Sequence, residues 1–221
     1  MIAKELITDT IVPLKPDNTW AFALASMDEL RLSHLPVVSD KNYLGLVTEK
    51  ELLALQDPGL EINTNLASLN RVSIEEFRHV YDAIATFSGM NLTLLPVVND
   101  RNQYLGAITM ETLVKGLSTV FGIRNPGGLI VLEINSRDYS LSEIVQIIES
   151  NDTKILSLYT TFFPESTRME VTIKVNRMEI GPLLQAFNRY NYLVKASWSM
   201  EDAYSEGLQD RFDALMNYLS I

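Results

Sequence analysis

The chain contains no cysteine. That excludes disulfides, zinc-thiolate centres and a thiol nucleophile, and it fits a reducing compartment. Histidine is scarce too: His34 and His79 are the only two, and neither stands in a pattern with metal-ligand spacing. No phosphate-binding loop, dinucleotide fingerprint or nucleophile elbow occurs. Acid-base catalysis would need a cleft carboxylate pair or a partnered histidine, and the sequence locates neither, so a non-catalytic protein is expected. No apolar run approaches the ~18 residues of a membrane span, and the opening stretch MIAKELITDTIV lacks the basic-then-apolar order of a signal peptide. Cytoplasmic residence without a membrane partner follows as the expectation. A basic segment is also missing. Residues 1–120 carry 9 basic and 15 acidic side chains, residues 121–199 carry 8 and 8, and residues 200–221 carry 1 and 5. Phosphate backbones and anionic bilayers need Lys and Arg, so neither nucleic acid nor membrane is an expected partner.

What is present is an internal repeat. Leu32–Leu53 returns about sixty residues later as Leu92–Val114, and between Ala23–Asp40 and Ala83–Asp100 eight of eighteen positions are identical, among them Leu35/Leu95, Pro36/Pro96 and Val37/Val97. Gln103 shifts the offset by one residue, after which Tyr43/Tyr104, Gly45/Gly106 and Thr48/Thr109 realign. The insertion falls in a polar turn, where a loop absorbs it cheaply. Each copy reads as helix, strand, turn, strand, helix. A unit of about sixty residues buries little apolar surface alone, and two related by a pseudo-twofold can share a core. Asp17, Asn18 or Thr19 can cap the first helix. Ser73-x-x-Glu76 reads as a capping box opening a helix through Ile74, Phe77, Tyr81, Ile84 and Phe87, with His79 on that helix as a surface or dimer contact.

The hydrophobic-Pro-Val-Val-x-Asp and Gly-x-hydrophobic-Thr segments resemble those of tandem CBS domains, the Bateman module, over residues 1–120 with repeats of about 1–60 and 61–120. The resemblance implies a homodimer through the CBS pair and a cleft for an adenosine-containing effector such as AMP, ADP, ATP or S-adenosylmethionine. The family's nucleotide motif runs Gly-hydrophobic-hydrophobic-Thr/Ser-x-x-Asp. Here Thr48 and Thr109 match, while the carboxylate position holds Glu51 in one copy and Thr112 in the other. Both copies therefore depart from the pattern. Thr48-x-x-Glu51 is also a capping box, which alone accounts for the pair. The resemblance makes His34, Leu35, Pro36, Thr48, Glu51, Leu95, Pro96 and Thr109 the candidate cleft residues.

After the glycine-rich 121–128 linker the pattern changes. Strand, helix, strand, strand, helix, strand over 129–200 is the ferredoxin-like βαββαβ order, with Ser140-x-x-Glu143 as a capping box and Arg168–Val175 alternating polar and apolar. Placed after a CBS pair this resembles an ACT-like domain, whose ligand loop falls on Asp138, Tyr139 and Ser140, and the layout is similar to that of the bacterial acetoin utilization regulatory family. Tyr204, Leu208, Phe212, Leu215, Met216 and Leu219 predict an amphipathic helix at the C-terminus, over 201–221. The expected fold class is α/β (α+β), and the expected function is a regulatory sensor, with a ligand-free oligomerisation scaffold for a protein partner as the alternative.

Overall fold

The structure is a computed structural model that describes residues 1–54, 57 and 59–199, without the side chains of residues 65 and 68. The terminal helix expected over 201–221 lies outside the described residues. The chain divides into two compact units, the first being Met1–Leu117 and the second beginning at Ser118.

In the first unit, helix α1 (Trp20–Leu30) starts where the Thr19 hydroxyl accepts the Phe22 N–H at 3.2 Å. It is followed by β1 (His34–Ser39), β2 (Asn42–Thr48) and the short α2 (Glu49–Leu53). The second copy supplies β3 (Ile74–Glu75), α3 (Val80–Met90), β4 (Leu94–Val98), β5 (Tyr104–Thr109) and α4 (Met110–Val120). The repeat is visible in backbone detail. α1 ends on Arg31 and α3 on Asn91, both left-handed, at φ 53° and 52°. β1 and β4 each bulge at the second valine of Pro-Val-Val.

The capping box expected at Ser73 and Glu76 is not formed. Ile74 is buried and pairs in parallel with Val97, as Leu14 does with Val37 in the first copy, so this stretch is extended. Helix α3 begins six residues later than Ile74, where His79 is the N-cap and its Nδ1 accepts the Tyr81 N–H at 3.3 Å. The helical spacing of Ile74 and Phe77 was fortuitous: Ile74 enters the core as part of a strand, and Phe77 is 69% exposed.

Each copy is completed by backbone from outside it. The Leu46 N–H donates to Asn70 O at 2.7 Å, and the Thr8 N–H donates to Ala107 O at 2.8 Å. Two glycines admit these crossings. At Gly45, with φ +156°, a Cβ would stand 2.5 Å from the Leu69 Cβ; at Gly106, with φ +142°, it would stand 2.4 Å from the Ile7 Cγ2. Around them one core forms from both copies, including Leu14, Met27, Leu35, Leu46, Leu94 and Ile108.

The second unit runs β6 (Leu129–Asn135), α5 (Leu141–Glu149), β7 (Ile155–Phe162), β8 (Arg168–Val175), α6 (Gly181–Arg189) and β9 (Leu193–Trp198). The sheet order is β7-β8-β6-β9, antiparallel throughout, which is the ferredoxin-like arrangement. Ile144, Ile148, Leu183 and Phe187 of the helices pack on Ile130, Leu132, Val171 and Ile173 of one sheet face. On the other face lies the stretch that precedes β6. The Ser157 hydroxyl donates to Phe121 O at 2.8 Å, and the Phe121 and Tyr159 rings meet edge to face at 5.8 Å.

Candidate ligand site

The two copies meet at Ser33 and Thr93. The Ser33 N–H donates to the Thr93 hydroxyl at 3.1 Å, and the Thr93 N–H donates to His34 Nδ1 at 3.3 Å, with Thr93 Oγ1 3.0 Å from the same nitrogen. A nitrogen that accepts an N–H carries no proton. His34 is half-buried, and desolvation lowers its pKa against the opposing pull of the Glu51 carboxylate. The Ser33 hydroxyl donates to Glu49 Oε2 at 2.8 Å, so Thr93 is joined through Ser33 to the start of α2.

Thr48 and Glu51 form the reciprocal cap that their spacing allows. The Thr48 N–H donates to Glu51 Oε2 at 2.9 Å, and the Glu51 N–H donates to the Thr48 hydroxyl at 3.2 Å. Thr109 and Thr112 repeat it with two hydroxyls: the Thr109 N–H donates to Thr112 Oγ1 at 3.0 Å and the Thr112 N–H to Thr109 Oγ1 at 3.2 Å. Leu35, Pro36, Leu95 and Pro96 are buried.

A cleft of about 640 Å³ opens beside Thr109 and Thr112. Ile11, Leu30, Leu32, Leu92 and Met110 give it apolar walls, and Thr8, Thr10, Thr93, Thr109 and Thr112 line it beside them. Arg31 and Lys115 also line it, with one carboxylate, Glu111. The Lys115 ammonium pairs with Glu111 and holds that carboxyl below its usual range. Such a lining suits a ligand with a flat apolar part and an anionic end. Of the sequence candidates only Thr109 lines this cleft; Leu35, Pro36, Leu95 and Pro96 do not. Thr10, Arg31, Thr93 and Lys115 were not singled out from sequence. The one signal for Thr93 was its register opposite Ser33 at the repeat offset of sixty.

In the second unit Ser140 caps α5, its hydroxyl accepting the Glu143 N–H at 3.4 Å. Tyr139 packs against the core of that unit. Asp138 borders a cleft of about 230 Å³ together with Glu133 and Glu143, and three carboxylates oppose the entry of an anion. The Tyr192 hydroxyl donates to Glu143 Oε2 at 2.6 Å, and burial with that carboxylate pushes the phenol pKa up.

Among the described residues no group of three or more His, Asp and Glu is placed to hold a metal, and no helix is long and apolar enough to cross a membrane. The CBS domain family profile matches residues 3–57 and 65–119. The first unit is a tandem pair of CBS domains, and the chain belongs to the CBS-domain family. Over 149 residues the chain is 22% identical to the inosine-5'-monophosphate dehydrogenase of Methanocaldococcus jannaschii, a match covering 67% of this chain and 30% of that enzyme. The chain thus spans under a third of the dehydrogenase. A CBS domain-containing protein of Dictyostelium discoideum is 27% identical over 139 residues, covering 54% of this chain and 96% of that one. Among solved structures, a CBS domain pair/ACT domain protein of Thermotoga maritima aligns with a TM-score of 0.48 at 21% identity, over 53% of this chain and 96% of that one.

Proposed function

We propose that this chain is a non-catalytic, cytoplasmic regulatory protein whose CBS pair binds an adenosine-containing metabolite in the cleft beside Thr109. The ferredoxin-like, ACT-like domain serves assembly or a second small ligand. The observation that carries this reading is the cleft itself, which lies at the family's motif position and holds Arg31 and Lys115 beside threonine hydroxyls and an apolar wall. The aliphatic side chains of Leu30, Leu32 and Leu92 would take the base, the Thr109 hydroxyl the ribose or phosphate, and Arg31 with Lys115 the phosphate charge. Thr112 brings no carboxylate, so the ribose diol loses the acceptor that the family motif supplies, and AMP, ADP or ATP suits the site better than cationic S-adenosylmethionine. Such an effector acts only through a difference in affinity between two arrangements of the pair.

A homodimer belongs to the same reading. α3 and α4 leave Tyr81 66%, Met110 46% and Val114 56% exposed, with an apolar groove of about 500 Å³ bordered by Ile84, Phe87 and Leu117. A second copy would cover this face. The scaffold reading rests on Thr48 and Glu51, whose pairing is accounted for by the capping of α2 alone.

The deciding experiment is a thermal-shift series with AMP, ADP, ATP, S-adenosylmethionine and adenosine. A ligand at about a hundred times its dissociation constant adds roughly 2.7 kcal/mol, or several degrees in a chain of this size. A shift with a nucleotide, weakened by Arg31→Asn, supports the sensor. A flat response throughout leaves the scaffold.

A further inference from the structure

Strand alternation sets a lysine into an apolar cavity on the C-terminal sheet. Ser157, Lys174 and Leu129 are cross-strand partners over β7, β8 and β6, so their side chains share one face. It is the face turned away from α5 and α6, because Val171, Ile173 and Val175 of the helix-side core hold the alternate positions of β8. Phe121 and Ile123, from the stretch before β6, and Tyr159 of β7 border with them a cavity of about 350 Å³.

Lys174 is partly buried, and its ammonium donates to Gly127 O at 3.0 Å. An ammonium has three N–H donors, so two are left for a ligand. Lys154, Arg168 and Lys195 of the same unit pair with Glu149, Glu133 and Glu170, whereas among the described residues no carboxylate lies within ion-pair distance of Lys174. On its own face of β8 the next acid, Glu170, is four residues away, about 13 Å at the rise of a strand, and is already held by Lys195.

The lining decides the ligand. An ammonium set among apolar side chains gains most from an anion that brings apolar cover with it. A phosphate carries up to about two negative charges, and among the described residues Lys174 is the one cation lining the cavity. An amino acid would bring an α-ammonium, and no described carboxylate lines the cavity to receive it. The volume lies at the low end of the ~300–1,000 Å³ of ligand pockets, which suits a body smaller than a nucleotide. The Ser157 hydroxyl is spent on Phe121 O, and the Phe121 and Tyr159 rings, edge to face at 5.8 Å, make a flat-sided apolar wall.

We propose that this cavity binds a small monocarboxylic acid with an aromatic or branched aliphatic body. The carboxylate pairs with Lys174, and the body lies among Phe121, Ile123, Leu129 and Tyr159. The proposal rests on the reading of the C-terminal domain as taking a second small ligand, names the class of that ligand, and is independent of the nucleotide cleft.

The test is a titration of the full chain with para-fluorophenylacetate, followed by fluorine NMR, beside its neutral amide and para-fluorophenylalanine. The acid should bind more tightly than either. Lys174→Gln should weaken the acid about tenfold, the order of one hydrogen bond to a charged group, and leave the amide unchanged. Ile123→Asp, at a wall position 64% exposed, should weaken the acid and spare the amide without depending on how Lys174→Gln folds. Arg31→Asn should leave the acid unchanged, and Lys174→Gln should leave any nucleotide response unchanged, so this proposal and the adenosine reading fail separately. No binding of the acid, or equal binding of acid and amide, would overturn the proposal. So would equal binding of the amino acid, or a loss that follows Arg31→Asn instead of Lys174→Gln, which would put the probe in the CBS cleft.

Discussion

His34 and Thr93 hold the two CBS copies together through an unprotonated imidazole nitrogen: Nδ1 accepts the Thr93 N–H at 3.3 Å, from a residue that also lines the cleft. The histidine pKa is lowered in the fold, mainly by burial. The unfolded chain therefore binds more protons than the native one once the pH falls below about 6.5. Stability is complete above that pH and is lost as the pH falls through the folded value. Urea melts at pH 7 and pH 5 should show the loss, and His34→Leu, which has nothing to titrate, should lose less. Glu51→Gln keeps a capping residue but removes the charge that favours the imidazolium, so its loss should be larger. Identical pH slopes in all three would dismiss this coupling.

Thr48 and Thr109 occupy matched positions with different surroundings. Thr48→Ala removes a cap and should cost about 1 kcal/mol of stability while leaving the affinity for any nucleotide effector unchanged. Thr109→Ala should lower both. Isothermal titration beside chemical denaturation separates the two effects, and a large affinity loss in Thr48→Ala would move the site to the first copy.

Arg31 sits in a left-handed position where the second copy has Asn91. Asparagine tolerates that backbone better than arginine, so Arg31→Asn should leave the melting temperature of the free protein unchanged or raise it slightly. It should weaken a nucleotide about tenfold, the order expected for one charge-assisted hydrogen bond, and leave adenosine unaffected. Equal weakening of nucleotide and nucleoside would remove Arg31 from the phosphate.

Gly45→Ala puts a methyl group 2.5 Å from the Leu69 Cβ and 3.1 Å from Asn70 O. Neither neighbour is the end of a flexible side chain. The substitution should cost about 1–3 kcal/mol, seen as a lower denaturation midpoint, whereas Gly89→Ala, which meets nothing within 4 Å and lies in a helix, should gain up to about 1 kcal/mol.

On the exposed α3 and α4 face, Tyr81→Glu and Val114→Glu should convert a dimer to a monomer without changing the melt of the monomer core. Sedimentation equilibrium reads this directly, and a dimer that survives both changes pairs through another surface.

The repeat was legible in the sequence because duplicated residues keep a fixed offset, and the β8 strand because Arg168–Val175 alternates residue by residue. Ile74 was not, since a two-residue parallel bridge has no period of its own and its neighbours happened to fit a helix. The cleft was half legible. Thr109 belongs to a contiguous motif, whereas Thr10, Arg31, Thr93 and Lys115 come from separate stretches that meet only after the copies have exchanged backbone. The C-terminal sheet order follows from its element order, but the packing of Phe121 on its open face needed three-dimensional contacts that glycine and proline content concealed.

The reciprocal hydrogen bonds of Leu46 with Asn70 and Thr8 with Ala107 set the order in which the nascent protein can finish. Thr8 leaves the ribosome long before Ala107, and it has no strand to join until Ala107 has been made. The edge at Leu46 likewise stays bare until Asn70 emerges, and a bare edge invites pairing with another molecule. A ribosome that stalls between the two copies would therefore release a fragment whose readiest partner is a second fragment like itself.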